Sequence, residues 1–130
     1  MNITYEDLRG LGFRIQWPEV NPRPGMVLPL DSREDLFLEM APHWSEAEWF
    51  CWLRNDTSHR KARFVHIRHL RTMEEVEQLI LGLTGRPAER NDFDRDKFAE
   101  ALGKTEEEGK RLWALYCDRG VVQDHVLKYS

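Results

Sequence analysis

The chain has 130 residues, 41% of them hydrophobic and 32% charged, with a formal net charge of −4. That suffices for one domain with a core of its own and excludes a disordered segment. The acidic balance argues against a general nucleic-acid coat protein, and no run approaches the roughly 18 apolar residues of a membrane span.

A soluble, cytoplasmic protein with no membrane partner is therefore expected. Met1–Asp7 lacks the charged and apolar regions of a signal peptide. Cys51 lies in an apolar run and Cys117 far from it, with no CxxC spacing. Two reduced, mostly buried thiols are expected rather than a disulfide, a zinc site or a redox pair.

The first element in chain order is a short helix. Thr4 is its N-cap, Asp7 stands three residues on, and Gly10 and Gly12 end it. Tyr5, Leu8 and Leu11 form its inner stripe. Phe13–Trp17 alternates apolar and polar residues, as a half-buried strand does, and Pro18 stops it. Asn21–Gly25 is a turn, with φ set at the prolines and free at the glycine. Met26–Leu28 is a short strand candidate, Asp31–Asp35 a polar turn and Leu36–Met40 another strand. Ala41–His43 breaks that strand.

Trp49–Arg54 and Arg63–Leu70 follow as two strands joined by a polar, basic loop, Asn55–Lys61. Strict alternation puts Trp49, Cys51 and Leu53 on one side of the first, and Phe50, Trp52 and Arg54 on the other. In the second it puts Val65 and Ile67 on one side, and Phe64, His66 and Arg68 on the other. Thr72 and Glu75 make a capping box for a helix whose stripe is Val76, Leu79, Ile80 and Leu83, ended by Gly85 and Pro87.

Beyond Arg86–Asn91 the pattern is helical. Asp92 or Asp94 caps a segment carrying Phe98, Ala101 and Leu102 and ending at Gly103. Thr105–Glu108 is a second capping box, opening a segment with Leu112, Trp113 and Tyr116 inside. Val121–Tyr129 fits a last helix or a strand. The fold class expected is α+β: a small antiparallel sheet of about four strands packed on one amphipathic helix, with a C-terminal helical hairpin. Residues 1–87 form the sheet-plus-helix core, and 88–130 a helical region of the same domain.

Charge is bipolar along the chain. Arg54–Arg71 holds six Lys/Arg, three His and one acid; Glu74–Glu108 holds eleven acids and five bases. The basic residues Arg54, Arg60, Lys61, Arg63, Arg68 and Arg71, with Trp52 and Phe64 beside them, make the candidate binding surface. Rings and cations together suit an acidic protein surface or a phosphate backbone with stacked bases. The plain alternative is an edge hairpin kept soluble by charge. Trp44, Trp49 and Trp52 suit either an interface hot spot or the core.

Phe98–Trp113 resembles the helix-turn-helix family, with Ala99 four residues before Gly103 and Leu112 nine after it. The resemblance implies DNA binding through the second helix. Lys104 and Gly109 depart from the family pattern, and Glu106–Glu108 open the recognition helix with charges that phosphates repel. An ordinary helical hairpin is the competing reading.

Asp92, Asp94 and Asp96 are spaced as in a calcium loop, but Lys97 and Gly103 occupy its glycine and glutamate positions. His66 and His69, three apart in a strand, are expected on opposite faces and unable to share a metal. No metal, cofactor or catalytic residue is assigned. The short capped helix followed by Leu11-Gly12-Phe13, and the closing helix ending Leu83-Thr84-Gly85-Arg86-Pro87, resemble small uncharacterised proteins carried by phages and bacterial mobile elements. The function expected is a non-catalytic protein-interaction or regulatory module with a protein partner. The alternatives are a nucleic-acid binder, through the basic hairpin or the degenerate helix-turn-helix, and a small enzyme without a visible motif.

Overall fold

The computed structural model describes residues 3–16, 23–31, 34–40, 49–55 and 63–118, apart from the side chains of residues 55, 63–66, 116 and 118. The chain is α+β. Helix α1 (Tyr5–Gly10) precedes five strands, β1 (Arg14–Gln16), β2 (Gly25–Pro29), β3 (Glu34–Glu39), β4 (Trp49–Asn55) and β5 (Arg63–Leu70). Helices α2 (Met73–Thr84) and α3 (Arg95–Asp118) follow. The strands lie in sequence order in one open sheet, each antiparallel to the next, with β1 and β5 at the edges.

α1 begins where Thr4 accepts a hydrogen bond from the Asp7 amide at 3.1 Å. It ends in a tight reversal: the Phe13 amide donates to the Leu8 carbonyl at 3.1 Å, and the amide of Gly12, at φ +97°, donates to the Arg9 carbonyl at 3.0 Å. A side chain is strained at that φ, so glycine suits the position. The turn buries Leu8, Leu11 and Phe13 together. The Tyr5 hydroxyl donates to the Pro24 carbonyl at 2.8 Å, and its ring meets Trp49 edge-on at 5.1 Å, which seats α1 on the sheet.

Antiparallel partners share a face, so the register separates the two sides of the sheet. Ile15, Met26, Leu38 and Cys51 form one row across β1 to β4. Met26, Leu38 and Cys51, with Leu36, Met40, Trp49 and Leu70, join Leu8 and Phe13 from the α1 end, Val76 and Ile80 of α2, and Phe98 of α3 in one core cluster, with Ile15 packed against it. Helices therefore cover this side. Phe98 draws the start of the C-terminal region into the same core as residues 3–80.

α2 starts at Thr72, whose hydroxyl oxygen accepts from the Glu75 amide at 3.2 Å, and closes at Gly85 with φ +71°. Its buried stripe is Val76 and Ile80; Leu83, expected inside, is 41% exposed. The connecting segment is tied back where the Asn91 amide donates to the Gly10 carbonyl at 2.7 Å. Asp94, rather than Asp92, caps α3, accepting from the Lys97 amide at 3.0 Å.

The expected C-terminal helical hairpin is corrected. Arg95–Asp118 is one helix of 24 residues, running through Gly103 without a turn. A Cβ at Gly103 would meet nothing within 4 Å, so neither space nor φ requires glycine there. The Thr105 hydroxyl, read as a cap, donates instead to the Ala101 carbonyl one turn back, at 2.7 Å. The helix-turn-helix resemblance thereby loses its turn. Readings placed on Trp17–Pro22, Ser32–Arg33, Ala41–Glu48, Asp56–Ala62 and Arg119–Ser130 lie outside the described residues.

Candidate functional site

β4 is the pivot of the sheet, pairing with β3 over six residues and with β5 over seven. Its even-numbered side chains fall on the face away from the core cluster. Three register rows build that face: Val27, Phe37 and Trp52; Pro29, Asp35 and Arg54; and Glu39 beside Phe50. β5 adds His66 opposite Trp52, Phe64 opposite Arg54 and His69 opposite Phe50. Phe37, Phe50, Trp52, Arg54 and His69 are all half-buried.

Local contacts order this surface. The Arg54 guanidinium donates through Nε and Nη2 to both oxygens of Asp35, each at 2.8 Å, and through Nη1 to Gln16 Oε1 at 3.4 Å. It also lies over the Phe37 ring, 5.8 Å from the centroid. A bidentate pair of this kind fixes a planar fork in place. The Phe37 ring presses on Gly25: a Cβ there would stand 2.6 Å from Cε2 and 2.8 Å from Cζ. Glycine lets the ring lie flat on the neighbouring strand, the arrangement by which aromatics cover sheet glycines. Phe50 and His69 meet at 4.5 Å in a T-shaped pair across β4 and β5.

A β-bulge divides the predicted site. Between Cys51/Arg68 and Trp52/His66 the register shifts, leaving Ile67 as the extra residue in β5. Arg68, expected beside Phe64 and His66, therefore sits opposite Cys51 on the helix-covered side. There it is exposed and donates through Nη2 to the Glu75 carbonyl at 3.3 Å. The bulge also overturns the expectation for the histidines. His66 and His69 occupy register positions opposite Trp52 and Phe50, two apart in β4, so the bulge gives the two positions the same parity. Among the described residues no group of three His, Cys, Asp or Glu could hold a metal ion.

Of the residues singled out from sequence, the sheet brings Trp52, Arg54 and the register position of Phe64 together. Arg63 pairs in register with Asn55 at the end of the same ladder. Arg71 is exposed beyond β5. Arg60 and Lys61 lie outside the described residues. Sequence reasoning placed Phe50 on this side of β4 but missed Asp35, Phe37 and His69 as members of the surface. Opposite parity to Leu36 and Leu38 was a usable signal for Phe37. The Asp35–Arg54 pairing, 19 residues apart in the chain, had none.

Cys51 is completely buried, and burial pushes its thiol up to about 12 against a smaller opposing pull from Arg68. That is the reverse of an activated nucleophile. Among the described residues no helix is long and apolar enough to cross a membrane. Comparison of the chain with models of known families, with curated proteins and with solved structures finds no match.

Proposed function

We propose that the protein is a non-catalytic interaction module that docks a partner protein on the aromatic face of its sheet. One observation carries the reading: Phe37, Phe50 and Trp52 stand on the side of the sheet away from the core cluster, and none belongs to that cluster. Aromatic side chains and arginine on a rigid platform are the usual anchors of protein interfaces. Five paired strands supply the platform, and the Asp35 clamp holds Arg54 at little further entropic cost on binding.

Charge favours a protein over a nucleic acid. Arg54 is already matched by Asp35, and Arg68 is on the other side of the sheet. Phosphate binding needs cations free to displace counterions. Photo-crosslinking tests the reading. Phe50→p-benzoylphenylalanine and, on the exposed side of α3, Glu100→p-benzoylphenylalanine are irradiated in extract of the source cells. A discrete protease-sensitive adduct from position 50, competed by the unmodified chain and missing from position 100, is expected. A nuclease-sensitive adduct moves the face to nucleic acid, and no adduct at position 50 removes the proposal.

A further inference from the structure

A second feature lies at the β1 edge of the sheet, where Arg14 continues the register row of Val27, Phe37 and Trp52. A cleft of about 390 Å³ opens between the end of α1, the edge strand β1 and the first turns of α3. Three cations from three separate elements line it: Arg9, Arg14 and Lys97. Asp94 is the one carboxylate in its lining, and that carboxylate already accepts the Lys97 amide. Arg14 and Lys97 are exposed and have no ion-pair partner among the described residues. The wall is apolar, built from Ile15, Phe93 and Phe98.

The geometry of the wall is held from several directions. Phe93 packs edge-on against Phe98 at 5.5 Å. The Arg9 guanidinium lies 5.3 Å from the Phe93 centroid and that of Arg95 5.0 Å from it. Arg95 is in turn paired with Glu6 at 3.1 Å, which leaves its charge compensated. Arg9, Arg14 and Lys97 are not compensated in this way. Three cations against the single carboxylate of Asp94 leave the lining net positive, and an anion placed there meets a complementary charge. The positive end of α3 adds to the same field.

We infer that the cleft binds a small anion, a phosphomonoester or carboxylate carried on a compact flat apolar body. Arg9, Arg14 and Lys97 hold the anionic group, and Ile15, Phe93 and Phe98 hold the body. The volume falls within the range of ordinary small-molecule sites. A few polar groups beside an apolar wall are their usual composition.

Calorimetry with 1-naphthyl phosphate, 1-naphthoate, inorganic phosphate and 1-naphthol tests the inference on the full chain. Saturable binding of the naphthyl phosphate or the naphthoate is expected, the stronger of the two identifying the anion class. Inorganic phosphate and 1-naphthol should bind at least about tenfold more weakly, since each lacks one half of the recognition. Arg14→Gln and Lys97→Gln should each weaken binding about five- to tenfold. Both side chains are exposed, so circular dichroism should show folded proteins. Lys104→Gln, further along α3 and paired with Glu100 at 3.1 Å, should leave binding unchanged. Failure of both naphthyl anions to saturate overturns the inference. So does 1-naphthol binding equally well, or equal weakening by Lys104→Gln. Binding of poly-glutamate without either naphthyl anion also overturns it, because an acidic peptide is then the occupant.

Discussion

The two faces of the sheet carry different kinds of side chain. On one, Met26, Leu36, Leu38, Cys51 and Leu70 are wholly buried beneath the helices. On the other, Phe37, Phe50, Trp52, Arg54 and His69 are half-buried and arranged around an ion pair. The same strands supply both sets by simple alternation. The covered face carries mostly aliphatic volume, with Trp49 packed edge-on against Tyr5 among it. The other carries rings and a clamped guanidinium, groups whose interactions are directional and suited to recognition. A large apolar side chain in a strand is therefore not by itself a core residue; its parity decides.

Substitutions on the two faces can break this contrast. The largest effect belongs to the covered side. Leu38→Ala should destabilise the fold by about 2–5 kcal/mol, measured by urea unfolding, because it deletes methyl groups in a site that cannot collapse. The same face predicts a pH dependence. The Cys51 thiol ionises near 9 in the unfolded chain and near 12 in the folded one. Below pH 9 it is neutral in both states. Above that only the unfolded chain gains by ionising, so this group lowers stability progressively from about pH 9 to about 12. In native protein a disulfide reagent should modify Cys117, which is exposed, and reach Cys51 only after denaturant is added.

Gly25→Ala should cost about 1–3 kcal/mol, since the Phe37 ring must move aside. In a Phe37→Ala background most of that cost should vanish, a coupling that a double-mutant cycle measures. Trp52→Ala should cost about 1 kcal/mol, roughly half of full aromatic burial, while abolishing the crosslink at position 50. A Trp52→Ala cost equal to that of Leu38→Ala would mean that both faces are core. The smallest effect is a gain. Gly103→Ala should stabilise the chain by about 0.5–1 kcal/mol, because the position is mid-helix and open. A loss there would restore the turn that the continuous helix removes.

Local signals were read well where the chemistry is local. Thr4, Thr72 and Gly85 mark helix ends because caps satisfy backbone groups a few residues away. Alternation in β3 and β4 was equally legible. The C-terminal hairpin misled because Gly103 and Thr105 are a weak stop and a weak start. Continuing the helix through Gly103 costs less than a turn that nothing in the described packing requires. The candidate site was legible in part. Trp52 and Arg54 were found through their neighbours in sequence, whereas Asp35, Phe37 and His69 come to them across strand pairs.

By themselves the residues determined the class of structure, the caps, and which strand positions alternate, since each follows from contacts within about one turn or one pleat. The tertiary structure alone decided where parity breaks. The extra residue at Ile67 depends on how β5 registers against β4, and pairing energy between distant segments sets that register. It also decided that Arg54 is clamped by Asp35 and that Arg9, Arg14 and Lys97 face one opening, because charges far apart in the chain meet only once the sheet and helices have closed.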